Sequence, residues 1–177
     1  MNQWTTALLV GALTACGAAA APPPPRGVAT TVAAPHASFA QYRTFSFGLA
    51  GPPKPGYEVT PQSLEVQRRL RPLVQEELKE RGYTASEANG DLIVKLLGGT
   101  GAASTGQGAE RAIATGLARG FIGLDIYDGE TGAQVWQGSA FAEIDPEKID
   151  DSLLKLGVTH MLGGFPQKGG AGVASPP

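Results

Sequence analysis

Phe121–Ala142, FIGLDIYDGETGAQVWQGSAFA, constrains the fold more than any other stretch of the chain. Ile122, Leu124 and Ile126 alternate with Gly123, Asp125 and Tyr127. A period of two sustained over several residues marks a half-buried strand. Asp128-Gly129-Glu130-Thr131-Gly132 follows, a run that tolerates positive φ and carries an Asp able to bond its own backbone. It predicts a type I turn closed by a bulge. The second strand, Ala133–Ala142, places Trp136, Gly138, Ala140 and Ala142 on one face, with Val135, Gln137, Ser139 and Phe141 on the other. Small residues beside a Trp predict a face on which a helix packs closely. The competing reading of the turn is a calcium loop starting at Asp128. Calcium takes roughly six to eight oxygens, and an EF-hand loop closes on a bidentate Glu at about its twelfth position. Ser139 stands there, so the ligand set is missing.

The front of the chain has a different composition. Residues 1–15, MNQWTTALLVGALTA, carry no charged side chain. The apolar run Thr5–Leu13 is shorter than the roughly 20 residues a membrane span needs and suits the core of a signal peptide. A basic n-region is missing, leaving the terminal amine as the positive charge. Leu13-Thr14-Ala15-Cys16-Gly17 follows, and it resembles a bacterial lipobox. That resemblance implies cleavage before Cys16, a diacylglycerol on its sulfur and acylation of the freed amine. Gly17 in place of Asp implies, by the same resemblance, transfer to the outer membrane, facing the periplasm. Several acyl chains anchor stably, because each buried CH₂ contributes about 0.8 kcal/mol. Cys16 is the one Cys in the chain, so no internal disulfide can form.

Residues 16–37 read as the lipidated Cys and an Ala/Pro-rich tether, with Pro22-Pro23-Pro24-Pro25 as a stiff polyproline segment. The folded domain is expected over 38–166 and a Gly/Pro/Ala tail without core formers over 167–177. The chain is 17% charged with a net charge of −2. Without clustered Lys and Arg it offers no nucleic-acid footprint.

Within 38–166, Ser38–Gly48 reads as a strand from its aromatic and β-branched residues, and Leu49–Tyr57 as a Pro/Gly loop. Thr60–Tyr83 is the clearest helix. Thr60 or Ser63 can cap it, Val66, Leu70, Leu73, Val74 and Leu78 fall at helical spacing, and Gly82 supplies a stop. Pro72 predicts a kink, or a start nearer Arg71. Asp91–Leu97 reads as a buried strand. Strand, helix and strand in that order predict a parallel pair. A second helix is expected over Glu147–Leu162, with Leu153, Leu156 and Met161 on its apolar side.

A catalytic site is harder to find. His36 lies in the tether and His160 near the end of the last helix, where a lone His reads as a surface residue or helix-end cation. No HExxH, GxSxG or CxxC occurs. Gly101–Gly108 follows a strand but lacks the Lys and Ser/Thr of a phosphate loop. Arg68, Arg69 and Arg71 could meet phosphate or lipid headgroups, but Glu65, Glu76 and Glu77 dilute them into a solvated face. Asp125, Asp128, Glu143, Asp145, Asp150 and Asp151 could supply a carboxylate pair, yet they fall on strand edges and in turns. No catalytic residue, metal site or cofactor is therefore expected, and Cys16 is the single assigned site residue.

Several segments agree with one family. They are Phe39-Ala40-Gln41-Tyr42-Arg43-Thr44-Phe45, Gly82-Tyr83, Asp91-Leu92-Ile93-Val94, Gly123-Leu124-Asp125-Ile126-Tyr127-Asp128, Thr131-Gly132, Val135-Trp136, Gly138, Ala140 and Phe165-Pro166. Together they resemble the bacterial lipoproteins that carry a single periplasmic domain of unknown function and open on a "YRTF"-like strand. The resemblance covers roughly Ser38–Pro166 and implies no reaction or substrate. The element order also resembles, at the level of fold, the lipopolysaccharide-assembly lipoprotein, which carries no functional inference. The expected architecture is α+β: a two-layer sandwich with a mixed four-stranded sheet and two helices on one face, in the order β-α-β-β-β-α. Three functions follow as expectations. The first is a lipid-anchored, non-enzymatic accessory or scaffold protein of the envelope with an unidentified envelope partner. The second is a module binding an apolar or lipid ligand between helices and sheet, and the third is an enzyme. A ligand-sized cavity of about 300–1,000 Å³ under the helices would favour the second.

Overall fold

The hairpin forms as its alternation predicts, in a computed structural model that describes residues 28–35, 37–51, 57–101, 118–144 and 149–169. Its strands are β5 (Ala118–Asp128) and β6 (Gln134–Ile144), paired antiparallel with an irregularity between Ile126 and Tyr127. Gly132 takes φ 71°, and its N–H donates to the Asp128 carbonyl at 2.9 Å. Asp128 Oδ1 accepts from the backbone N–H groups of Glu130 and Thr131.

The other described strands are β1 (Val28–Ala33), β2 (Thr44–Phe47), β3 (Thr84–Ala85) and β4 (Leu92–Gly101), and the helices are α1 (Pro61–Glu80) and α2 (Asp151–Met161). The sheet is six-stranded in the order β1-β6-β5-β4-β2-β3. This corrects the expected four-stranded sheet and its β-α-β-β-β-α order. Two strands account for the difference. β1 comes from the stretch read as a tether, where Val28, Thr30, Thr31 and Val32 sit among Ala and Pro residues that masked their strand preference. It pairs antiparallel with β6, from Val28↔Phe141 to Ala33↔Trp136, and covers an edge that would otherwise present unpaired backbone groups. β3, two residues after the helix-ending Gly82 at φ 91°, pairs parallel with β2. β2 also pairs parallel with β4, as the strand-helix-strand order predicts. The expected strand Ser38–Gly48 is shorter than predicted, because Phe39–Gln41 forms a 3-10 turn ahead of β2.

α1 starts where its cap dictates. Thr60 Oγ1 accepts from the Ser63 N–H at 3.2 Å and Ser63 Oγ from the Thr60 N–H at 2.8 Å, a reciprocal capping box. The helix then runs through Pro72 to Glu80. The expected start near Arg71 is thus not adopted, because Val66 and Leu70, ahead of the proline, join Val74 and Leu78 in the core. α2 is capped by Asp150, whose Oδ1 accepts from the Leu153 N–H at 2.8 Å.

Both helices pack on the sheet face that bears Phe45, Leu92, Val94, Leu124, Ile126 and Trp136. The predicted close approach occurs at Gly138, where an added Cβ would lie 2.6 Å from the Met161 carbonyl oxygen. That oxygen accepts from Trp136 Nε1 at 3.0 Å. Phe165 packs edge-on against Phe39 and Trp136, and Tyr83 Oη donates to the Pro166 carbonyl, so the segment after α2 closes the aromatic end of the core.

Candidate functional site

At the opposite end of the same sheet face, β6 continues as Ala140, Ala142 and Ile144, and β5 as Gly120 and Ile122. Gly120, Ala140 and Ala142 raise little or no side chain off the sheet, so the helices and the sheet leave space between them. The result is an apolar cleft with a volume of about 440 Å³. Its floor is the small-residue patch with Ile122 and Ile144, and Ala29 of β1 closes the edge. One wall is the first turns of α1, with Gln62, Ser63 and Val66. The other is α2 with Leu153, Leu156, Gly157 and His160. Among the described residues, none of the lining side chains is an Asp, Glu, Lys or Arg.

α2 carries two apolar stripes. Leu154, Val158 and Met161 are buried in the core. Leu153 is half-buried and Leu156 is 49% exposed, and both face the cleft. The expected apolar side of this helix, Leu153, Leu156 and Met161, thus divides between cleft wall and core. Gly157 sits where an added Cβ would lie 2.6 Å from Ile122 Cδ1, which sets how near α2 comes to β5.

The remaining residues singled out from the sequence are engaged elsewhere or lie outside the described residues. Cys16, His36 and Asp145 are outside them, as is the side chain of Glu143; of the Gly/Ala-rich stretch 98–120, positions 102–117 are outside them and its two ends belong to β4 and β5. Asp125 Oδ1 accepts from Gln137 Nε2 at 3.2 Å, Asp150 caps α2, and Asp151 pairs with Arg69 at 2.7 Å. Arg68 pairs with Glu65, and the Arg71 guanidinium lies 4.4 Å from the centre of the Phe47 ring. The three arginines are therefore held by neighbouring side chains. Among the described residues, no group of three or more His, Cys, Asp or Glu side chains is placed to hold a metal ion.

A second, polar hollow is lined by Tyr42, Asn89, Asp91, Asp128 and Glu130. Two of its carboxylates, those of Asp91 and Asp128, serve the backbone. Asp91 Oδ2 accepts from the N–H groups of Arg43 and Thr44, which lowers its pKa from the ordinary carboxylate value. The Thr131 N–H and then the Tyr42 hydroxyl hold Asp128 at about 2. This hollow reads as a structural hub.

A cavity between helices and sheet was one of the expectations, but the residues that line it were not identified from the sequence. Its nearest signal was the run of small residues along β6, which also forms the contact at Gly138.

A family model described as "Domain of unknown function (DUF4136)" matches residues 29–167. No curated protein matches the chain. Among solved structures, the chain is similar to a PDZ domain protein from Parabacteroides distasonis ATCC 8503, at 15% identity and a TM-score of 0.55. That match covers 84% of this chain but 38% of the other, so the chain spans well under half the length of that protein. It is also similar to PelC from Paraburkholderia phytofirmans, solved as a dodecamer, at 14% identity and a TM-score of 0.50, over 81% of this chain and 99% of the other. At these identities the likeness is one of fold alone.

Proposed function

The chain belongs to the DUF4136 family, a domain of unknown function, and we propose that it is a lipid-anchored envelope protein whose domain binds an apolar ligand in the cleft. The observation that carries this reading is the cleft of about 440 Å³, which has no Asp, Glu, Lys or Arg side chain among its described lining residues. Its size falls within the range of ligand pockets, and such pockets are mostly apolar with few polar groups. A scaffold acting through its outer surface has no need of such a cavity. The reading is non-enzymatic: among the described residues, Asp91, Asp125, Asp128, Asp150 and Asp151 are engaged in caps, turns, backbone contacts and side-chain pairs. The lipobox-like Leu13–Cys16 supports an anchor at Cys16, and Gly17 supports the outer membrane, facing the periplasm.

Two measurements test the two halves. Cys16→Ser moves the protein from the membrane to the soluble fraction; unchanged fractionation ends the anchor reading. The Cys16→Ser protein, titrated with the fluorescent apolar probe N-phenyl-1-naphthylamine, binds one equivalent saturably. Leu156→Glu weakens that binding about tenfold, because it removes apolar contact worth about 1 kcal/mol and sets a carboxylate at a desolvated mouth. Leu156 is half exposed, so folding stability changes by about 0.5 kcal/mol or less. Absence of saturable binding, or equal binding by Leu156→Glu, overturns the cleft reading.

A further inference from the structure

We propose that the cleft takes a single acyl chain from a lipid of the membrane that anchors the protein, through a mouth that faces that membrane. This rests on the apolar-ligand reading and on the anchor at Cys16, and adds the ligand class and its source.

The placement of β1 is the first ground. Val28 is registered with Phe141 and Ala29 with Ala140, and Ala29 lines the cleft. The chain leading from Cys16 therefore joins the fold beside the cleft floor, at the end away from the aromatic core. Cys16 precedes Val28 by twelve residues, a reach of at most about 40 Å at roughly 3.3 Å per residue. An anchored protein thus holds this end of the domain within about one bilayer thickness of the membrane.

The lining is the second ground. Among the described lining residues a phosphate or other charged headgroup would find no Lys or Arg to pair with, and its burial there carries a high desolvation cost. An uncharged hydrocarbon chain meets Val66, Ile122, Ile144, Ile149, Leu153 and Leu154 instead. The volume of about 440 Å³ lies toward the lower end of the range for ligand pockets, which suits one lipid tail rather than two. Gln62 and His160, exposed polar residues of the lining, can meet the ester or carboxylate end of the chain while the headgroup stays in solvent.

The third ground is the mouth. Leu156 of α2 lines the cleft and is 49% exposed, and an exposed apolar side chain at the opening of a cleft suits contact with an interface.

The test uses the full chain carrying Cys16→Ser and vesicles of phosphatidylethanolamine and phosphatidylglycerol containing a trace of phosphatidylcholine with one fluorescent parinaroyl chain. The protein is expected to recover one labelled lipid per molecule from the vesicles, and Leu156→Glu and Ala142→Phe to lower recovery at least tenfold with circular dichroism unchanged. A parallel arm offers free cis-parinaric acid in water, and another compares the lipidated wild-type chain. Binding of free parinaric acid without recovery from vesicles overturns the membrane source and leaves the apolar-ligand reading standing. Recovery by Cys16→Ser that the lipidated chain lacks means the anchor's own acyl chain fills the cleft, which also overturns the proposed source. No binding in any arm removes both readings.

Discussion

Tyr42 donates its hydroxyl hydrogen to Asp128 Oδ2 at 2.7 Å, tying the turn ahead of β2 to the turn of the β5–β6 hairpin 86 residues away. Burial first, then the bond to Asp128, pushes the tyrosine up to about 12, while Asp128 is held at about 2. Tyr42→Phe leaves a buried carboxylate oxygen without this donor and is expected to destabilise the fold by about 1.5–3 kcal/mol in chemical denaturation. The two shifts also set pH limits. A lowered Asp128 pKa contributes stability that is present above about 4, its unfolded value, and is lost as pH falls toward about 2. A raised Tyr42 pKa contributes stability that is complete below about 10 and is lost as pH rises toward 12. Denaturation midpoints measured across pH should show both declines, and Tyr42→Phe should shrink both, because the tyrosine no longer titrates and Asp128 loses one of the bonds that lower its pKa. Gly138 is a second sensitive point. Gly138→Ala forces a Cβ against the Met161 carbonyl and is expected to lower stability by about 1–3 kcal/mol, with Trp136 fluorescence reporting the displaced indole.

α1 shows how far an element can be read before it is placed. Its capping box, its buried Val66-Leu70-Val74-Leu78 stripe and its Gly82 stop are all local patterns in the sequence. Pro72 is exposed and the helix continues through it, because packing on both sides offsets the lost backbone hydrogen bond. Pro72→Ala is therefore expected to stabilise the protein by about 1–3 kcal/mol, read as a raised thermal midpoint. α2 was less legible. Its apolar residues fit two stripes, and spacing along one helix cannot say which stripe meets the core and which borders a void.

Across the whole molecule, the misread part was β1. Six residues inside an Ala/Pro-rich stretch complete the sheet more than a hundred positions away in sequence, against β6. A chain begun at Ser38 loses β1 and uncovers the β6 edge. It is expected to unfold at lower denaturant than one begun at residue 17 and to associate through that edge, seen as a concentration-dependent rise in mass by light scattering.

The hairpin, the α1 cap and the helix stop follow from the sequence, because each is decided by neighbours a few residues apart; α2 instead starts at Asp151 behind the Asp150 cap, four residues after the expected Glu147. The alternation, the turn chemistry and the capping side chains act within one element. The pairing of β1 with β6, the division of α2 between core and cleft, and the cleft itself were decided by tertiary structure. Each depends on distances between elements, and a cavity is the space that small residues at Gly120, Ala140 and Ala142 leave once the helices are held off by larger ones elsewhere.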